Sequence, residues 1–234
     1  MQNPKTKTKI ADTFIKLAES EDPLKISVRT VSEVLGVNRK TFYYYFQSKE
    51  LLVNWIFRRD LGHKLKDSFP QSKLLFEEKD STPYSQYPYY VFIEEATGYL
   101  NHDVFFLELS RCFGKRRNFY AQILKTTEIG SLRAYMFSLY NEALKKDILY
   151  IFRGVDLSQT AIDFLAEFYA AAFLGQISNR IINSANCRSL NDVNPYNNII
   201  HGSLGLLKNH LLSGAISDHQ GNATFLESKQ IEAR

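Results

Sequence analysis

Four side chains with charged or hydrogen-bonding groups cluster on one side of a short segment with helical periodicity. They are Arg39, Lys40, Tyr43 and Tyr44, whereas the opposite side carries Phe42, Tyr45 and Phe46. Long cationic donors beside phenolic hydroxyls can donate hydrogen bonds to phosphate oxygens and to the edges of bases. The two faces therefore predict a short helix that packs through its aromatic side and contacts a nucleic acid with the other.

Patterns typical of catalysis or metal binding are weak in this sequence. The five histidines form no helical metal-ligating pair, and the chain has no glycine-rich phosphate loop and no nucleophile elbow. Glu94 and Glu95 are adjacent, so a helix would place them on different faces. Cys112 and Cys187 lack the nearby histidines of a zinc site and are too few for a disulfide framework. We therefore expect no enzyme activity, no cofactor, no metal and a reducing, cytoplasmic environment.

Positive charge is concentrated near the N-terminus. Residues 1–66 hold 13 Lys and Arg against 7 Asp and Glu, although the whole chain has a net charge of only +4. A basic head before a mildly acidic body suits DNA binding, because Lys and Arg neutralise phosphates. A solvated helical surface is the alternative source of such a surplus. No run of about 18 uncharged apolar residues occurs, so we expect no membrane partner.

Helical periodicity dominates the chain and predicts an all-α fold. The first four helices are expected over residues 6–19, 28–35, 39–46 and 49–66. Ser27, Asn38 and Ser48 are the expected N-caps of the second, third and fourth helices, and Gly36 ends the second. Two short helices joined by a three-residue turn that contains glycine, behind one supporting helix, have the layout of a DNA-binding helix-turn-helix.

The stretch from residue 27 to residue 52 resembles the signature of the TetR family of bacterial transcription factors. It reads SVRTVSEVLGVNRKTFYYYFQSKELL, with a capped second helix, a turn similar to Ala-Gly-Val-Ser, then Tyr-x-Tyr/His-Phe and Ser-Lys-Glu-x-Leu. It departs from the family at Leu35, where Ala is usual, and at Asn38, where Ser is usual; both changes are conservative for packing and capping. Residues 41–46 and 54–57 also resemble the subgroup of dihydroxyacetone kinase regulators.

The resemblance implies a regulator that binds a palindromic double-stranded operator as a homodimer and is released or modulated by a small-molecule effector. A constitutive DNA-binding protein that acts through protein contacts is the alternative. Family roles imply phosphate contacts for Ser27 and Lys49 and a DNA-backbone hydrogen bond for Tyr43, while Tyr45 is expected to pack inside the protein. The expected DNA-binding set is Ser27, Arg29, Asn38, Arg39, Lys40, Thr41, Tyr43, Tyr44 and Lys49, of which Arg39, Lys40 and Tyr44 are candidates for base edges.

Lys5, Lys7 and Lys9 precede the helix-turn-helix and allow two interpretations. They could form an arm that enters a minor groove. A solvated tail is the interpretation that we favour.

The chain is expected to divide into a DNA-binding domain over 1–66, whose fourth helix links it to a larger helical domain over 67–234 for ligand binding and dimerisation. Residues 67–87 have the composition of a linker, and the tail from residue 217 lacks periodicity. Further helices are expected over 88–101, 103–113, 116–126, 128–152, 157–186 and 194–213.

Two functional surfaces are expected in the larger domain. Aromatic residues could line an apolar effector pocket, although most of them would serve equally well as core; the candidates are Phe92, Phe105, Tyr135, Phe168 and Tyr169. Small and apolar residues on the last two helices suit close helix packing, and the resemblance implies a four-helix dimer interface there, with an internal core seam as the alternative. The candidates are Ala171, Ala172, Gly175, Ile199, Ser203, Leu206 and Leu207.

Overall fold

The computed structural model describes residues 4–95, 99–128, 130–183 and 194–213, and nearly all of its regular structure is helical. The helices are α1 (Pro4–Leu17), α2 (Val28–Leu35), α3 (Arg39–Tyr45), α4 (Lys49–Ser68), α5 (Asp103–Lys115), α6 (Arg117–Ile123), α7 (Leu132–Ile151), α8 (Gln159–Asn183) and α9 (Asn194–Leu212). A 3₁₀ turn over Gln71–Lys73 leads into β1 (Leu74–Leu75), which pairs antiparallel with β2 (Tyr90–Val91). The all-α fold predicted from the sequence is confirmed.

The helix α4 is buried on most of its surface, which distinguishes it from an amphipathic surface helix. Towards the head, the Trp55 ring centroid lies 5.7 Å from that of Phe46, just after α3. Towards the body, Phe57 stacks on Phe113 of α5 at 5.7 Å. The same helix therefore belongs to the packing of both the N-terminal head, α1 to α3, and the helical body from α5 to α9.

The predicted helix over 88–101 is wrong. Tyr90 and Val91 are extended and pair with Leu75 and Leu74, and an isolated antiparallel bridge joins Glu94 to Leu100. Tyr and Val favour strands when both faces are covered, and both side chains are buried here. The partner strand lies in the stretch that was expected to be a linker, so local periodicity did not indicate the pairing.

The three N-terminal lysines do not form the expected solvated tail, because α1 already begins at Pro4. Lys5 and Lys9 are exposed, but Lys7 is buried. The Lys7 ammonium donates a hydrogen bond to the Pro83 carbonyl at 3.0 Å and lies 5.4 Å from the ring centroids of Phe46 and Trp55. Burial lowers the pKa of Lys7. This side chain ties α1 to the segment between the strands.

The body is built around α7 and α8, which pack along each other. Met136, Ala143 and Ile148 of α7 and Ala166 and Ala170 of α8 are completely buried. The ends of the expected helices differ from the observed ones by a few residues, and residues 184–186, Cys187 and the tail from 217 lie outside the described residues. Among the helices described, none is long and apolar enough to span a membrane.

Candidate nucleic-acid interface

The turn between α2 and α3 is defined by caps at both ends. Ser27 caps α2 by accepting a hydrogen bond from the Thr30 amide at 3.1 Å. Gly36 ends α2 in the left-handed region with φ 70°, a conformation that costs glycine little. Asn38 then caps α3 by accepting from the Lys40 amide at 2.9 Å. The two short helices thus begin and end where their sequence places a capping residue.

Aromatic packing fixes which face of α3 is presented to solvent. Phe42 and Tyr45 are buried, and the Phe42 ring centroid lies 6.0 Å from that of Phe46. The expectation that Tyr45 packs inside the protein agrees with its exposure of 8%. The opposite face is exposed and carries Arg39, Lys40, Tyr43 and Tyr44, with Thr41 half-buried at its edge. One face of α3 therefore presents two cations and two phenols together.

Two further residues of the expected DNA-binding set are engaged within the protein. Lys49 at the start of α4 donates to the Leu24 carbonyl at 2.6 Å. Arg29 on α2 forms an exposed ion pair with Glu33 at 2.7 Å. Exposed pairs of this kind are weak, so Arg29 can exchange Glu33 for a phosphate at little cost. Arg29 lies in α2, two residues after the N-cap Ser27, and Lys49 is the first residue of α4, directly after the N-cap Ser48.

A buried arginine joins α4 to the body. Arg58 is fully buried, and its guanidinium donates hydrogen bonds to the Glu77 carboxylate, to the Tyr87 carbonyl and, at 2.5 Å, to the Tyr135 hydroxyl on α7. The guanidinium carbon also lies 5.3 Å from the Tyr89 ring centroid. Burial raises the pKa of Tyr89 to about 12, so this phenol is neutral at physiological pH. Sequence reasoning did not single out Arg58, because its acidic partner is 19 residues away.

The five predicted effector-pocket residues are not brought together in one cavity. Phe105 is fully buried in the core, Tyr135 contacts Arg58, and Phe168 is 56% exposed on α8. Tyr169 is half-buried, and its hydroxyl lies 2.7 Å from Ser203 Oγ on α9. Phe92 alone of the five lines the groove described next.

That groove lies between the strand region and the C-terminal part of α7 and has a volume of about 600 Å³. Its apolar surface includes Phe92, Leu149 and Tyr150, with ring centroids of Phe92 and Tyr150 5.3 Å apart. Three cationic residues, Lys73, Lys146 and Arg153, line the groove together with one acidic residue, Glu94. Such a lining suits a small molecule with an apolar part and an anionic group.

The predicted dimer residues lie mainly on an exposed apolar surface of α8 and α9. Ala171, Ala172, Ile199 and Leu206 are exposed, whereas Gly175, Ser203 and Leu207 are half-buried. Phe164 and Phe168 extend this surface, with stacked rings 6.3 Å apart and more than half of each side chain exposed. The sequence analysis placed Phe168 among the pocket candidates, whereas here its ring lies on the exposed surface.

A cluster of buried titratable side chains lies elsewhere in the body. His102 precedes α5, Asp147 is on α7 and His201 is on α9. Desolvation lowers the pKa of His102 to about 3 and that of His201 to about 4, and it raises the pKa of Asp147 well above its usual range. The three residues are far apart in the sequence, so their spacing gave no signal.

The head and body together define a helix-turn-helix transcription regulator. The family model described as "Bacterial regulatory proteins, tetR family" matches residues 12–55, and the model described as "Transcriptional regulator C-terminal region" matches residues 101–185. The chain belongs to the TetR family, whose members are transcriptional regulators and not enzymes.

One similar protein is the HTH-type dhaKLM operon transcriptional activator DhaS of Lactococcus lactis subsp. lactis, which is 37% identical over 59 residues. That match covers 25% of this chain and spans 32% of the length of the relative. A solved structure of a dihydroxyacetone kinase operon activator DhaS superimposes with a TM-score of 0.54 at 21% identity, covering 87% of this chain and 98% of the other. This second likeness supports the fold alone, over the part of the chain that it covers.

Proposed function

We propose that this regulator binds a palindromic DNA operator as a homodimer and that a small molecule bound to the body changes its affinity for DNA. The exposed face of α3 carries the proposal. Arg39 and Lys40 lie one helical turn from Tyr43 and Tyr44, so two long donors and two hydroxyls project from the same side. A helix of this kind enters the major groove while the preceding helix crosses the DNA backbone.

The roles within this face follow from the reach and chemistry of each group. Lys40 and Arg39 can donate to guanine O6 and N7, and Tyr44 supplies a hydroxyl beside them. Ser27, Asn38 and Thr41 lie at the starts of α2 and α3, where main-chain amides and the helix dipole favour a phosphate. Lys49, Arg29 and Tyr43 complete the set as phosphate contacts. Lys49 reaches the DNA by exchanging the Leu24 carbonyl for a phosphate oxygen.

A selection experiment tests the DNA-binding part of the proposal. The intact chain is mixed with random duplex DNA, and bound sequences are enriched over several rounds at fixed salt. We expect an inverted repeat whose half-site centres are about 34 to 36 Å apart, one turn of DNA, or a multiple of it. Enrichment of no sequence, with binding that depends on salt alone, would contradict operator recognition.

The dimer is supported by the surface of α8 and α9. Phe164, Phe168, Ile199, Leu206 and Leu212 are each 56% to 64% exposed in the single chain. An added Cβ on Gly175 or Gly202 would meet no described atom within 4 Å, so these glycines leave room for an approaching helix. The alternative of an internal core seam is supported at Ser203, whose Oγ lies 2.7 Å from the Tyr169 hydroxyl, and at Leu207, which packs against the core. A two-fold axis through this surface would also match a palindromic site.

Regulation by a small molecule is supported by the groove beside Phe92 and by the burial of α4. Because α4 packs on head and body alike, a shift of the body can tilt the head as a rigid unit. By thermodynamic linkage, the effector changes the affinity for DNA by the same factor by which DNA changes the affinity for the effector. A coupling free energy of about 1–3 kcal/mol corresponds to a factor of about 5 to 150. Candidate anionic metabolites are therefore titrated with and without operator DNA. Equal affinity in the two titrations contradicts an effector role for that molecule.

The second candidate function is constitutive DNA binding with control through protein contacts. The cationic rim of the groove, with Lys146 and Arg153 exposed, suits an acidic protein surface as well as a small anion. A transcription assay with purified polymerase separates the two. Control by protein contacts is favoured if regulation requires a second protein and if none of the tested small molecules changes the affinity for DNA.

A further inference from the structure

The cluster of His102, Asp147 and His201 lies in the closed core of the body and goes beyond the proposed function. His102 and Asp147 are completely buried, and His201 is 7% exposed. One nitrogen or carboxylate oxygen of each residue lies within 4.8 Å of those of the other two. Imidazole nitrogens and a carboxylate oxygen are ligands that zinc and related divalent metals accept.

A hydrogen bond to the backbone orients His102 as a metal-ligating imidazole is oriented. His102 Nε2 lies 3.2 Å from the Val91 carbonyl oxygen. Since a carbonyl can only accept, Nε2 carries the proton and Nδ1 keeps its lone pair. His102 Nδ1 lies 2.9 Å from His201 Nε2, which donates to it in the metal-free protein. When a metal binds, this proton moves to His201 Nδ1 or is released, since a ligating nitrogen must be unprotonated. An imidazole held through its second nitrogen by a backbone carbonyl is a common arrangement around a bound metal.

The carboxylate is held in the same manner. Tyr90 on β2 donates a hydrogen bond to Asp147 Oδ2 at 2.8 Å. Asp147 Oδ1 is buried and has no hydrogen-bond partner in the part of the chain that the structure describes. His201 Nδ1 is likewise buried without a partner among these residues. A buried carboxylate oxygen without a donor is costly, and a cation in the cluster would satisfy Asp147 Oδ1.

We infer that His102, Asp147 and His201 form a binding site for one divalent transition metal of the zinc class. Ligands around one zinc lie roughly 3.2 to 3.5 Å apart when each is about 2.0 to 2.2 Å from the metal. The two imidazole nitrogens must separate by a few tenths of an ångström, and a pair of ligand atoms at the 4.8 Å limit must approach by roughly 1.3 to 1.6 Å. The metal joins the start of α5, α7 and α9, and so fixes the last helix onto the body.

Zinc, added to protein that carries no affinity tag and has been stripped with a chelator, tests the site. We expect one zinc per chain after desalting, measured by elemental analysis. Zinc at 100 times its dissociation constant should raise the unfolding midpoint by roughly 5–10 °C. Cobalt should give the intense visible absorption of a four- or five-coordinate ion. Less than a tenth of a zinc per chain, or a cobalt spectrum like that of the hydrated ion, overturns the inference.

Variants locate the bound metal. Asp147→Asn keeps an oxygen for Tyr90 and His201→Gln nearly keeps the volume of the ring, and each should abolish zinc retention and the thermal shift. His210→Gln is the matched control, because His210 is exposed on the same helix. Circular dichroism of the metal-free variants shows whether each variant folds. If a variant does not fold, the zinc content and cobalt spectrum of the wild-type protein test the site. Full zinc retention by folded Asp147→Asn and His201→Gln overturns the assignment.

Discussion

The Tyr135 hydroxyl on α7 lies 2.5 Å from a guanidinium nitrogen of Arg58, near the middle of α4. The two residues are separated by 77 positions in the chain and meet in a buried cluster that also contains Glu77. One polar contact thus connects the helix that carries the DNA-binding head with a central helix of the body. A buried charge is destabilising unless its hydrogen-bond partners are present. Loss of the Tyr135 hydroxyl or of the Arg58 guanidinium should therefore lower the stability of the fold.

Tyr135→Phe removes only the hydroxyl and leaves the ring in place. A hydrogen bond to a charged group contributes about 1.5–3 kcal/mol, so the free energy of unfolding should fall by about that amount. The measurement is urea unfolding followed by circular dichroism. Tyr150→Phe, a half-buried position on the same helix at the groove, is the control and should change stability by less than about 0.5 kcal/mol. Equal stability of the two variants would contradict a structural role for the Arg58 contact.

Gly62→Ala tests the close approach of α4 to the segment before β2. An added Cβ would lie 2.7 Å from the Tyr87 Cβ, which is too close for two carbon atoms. We expect a loss of about 1–3 kcal/mol in stability, because a small-to-large change in a packed region forces its neighbours apart. Gly114→Ala in α5 is the matched control, since its Cβ would meet no described atom within 4 Å. That control should gain about 0.5–1 kcal/mol from helix propensity. A Gly62→Ala protein as stable as Gly114→Ala contradicts the packing described.

The sequence predicted the head well because its helix boundaries depend on local chemistry. Ser27, Gly36, Asn38 and Ser48 each cap a helix through contacts within a few residues. The strand at Tyr90 was missed because its partner, Leu75, lies in a stretch without a local signal. The clusters around Arg58 and around His102 were missed for the same reason, because their members are distant in the sequence.

Contacts between distant positions could not be anticipated from spacing. His102 and His201 are 99 residues apart, and a charged residue such as Arg58 is expected on the surface unless its distant partners are known. The aromatic density of the body was visible in the sequence. Which aromatic residues would be core, groove or exposed surface was not, because burial is decided by how the helices pack.

Lys7→Met distinguishes a packed lysine from a DNA-binding arm. Lys7 is turned towards Trp55 and the Pro83 carbonyl, and replacing a buried charge with an apolar side chain of similar length should alter stability by no more than about 1 kcal/mol. We expect operator affinity and its salt dependence to stay unchanged. Gel-shift titrations at several salt concentrations measure both. A reduced salt slope, as for loss of a phosphate contact, would mean that Lys7 leaves its site to bind DNA.

Phe168→Glu and Leu206→Glu test the proposed dimer surface. Each places a charge in the centre of an apolar face, and a buried unpaired charge is strongly unfavourable in an interface. At micromolar concentration we expect the wild-type chain to scatter light as twice 27.1 kDa and both variants as a single chain of 27.1 kDa. Val104→Glu on α5, where the side chain is 45% exposed, is the control and should remain dimeric. Dimers of unchanged stability in both variants would move the interface elsewhere.

Lys40→Ala and Tyr43→Phe test the exposed face of α3 and should weaken operator binding without unfolding the protein, because both side chains are exposed. A base contact by Lys40 predicts a loss of about 1–3 kcal/mol that is confined to one position of the site. A phosphate contact predicts instead an even loss across sequences and a smaller salt slope. Lys125→Ala and Tyr99→Phe, exposed positions outside the helix-turn-helix, are the matched controls. Gel-shift titrations against the selected operator and its single-base variants measure all four proteins. If Lys40→Ala and Tyr43→Phe bind as tightly as their controls, the DNA-reading surface is not this face of α3.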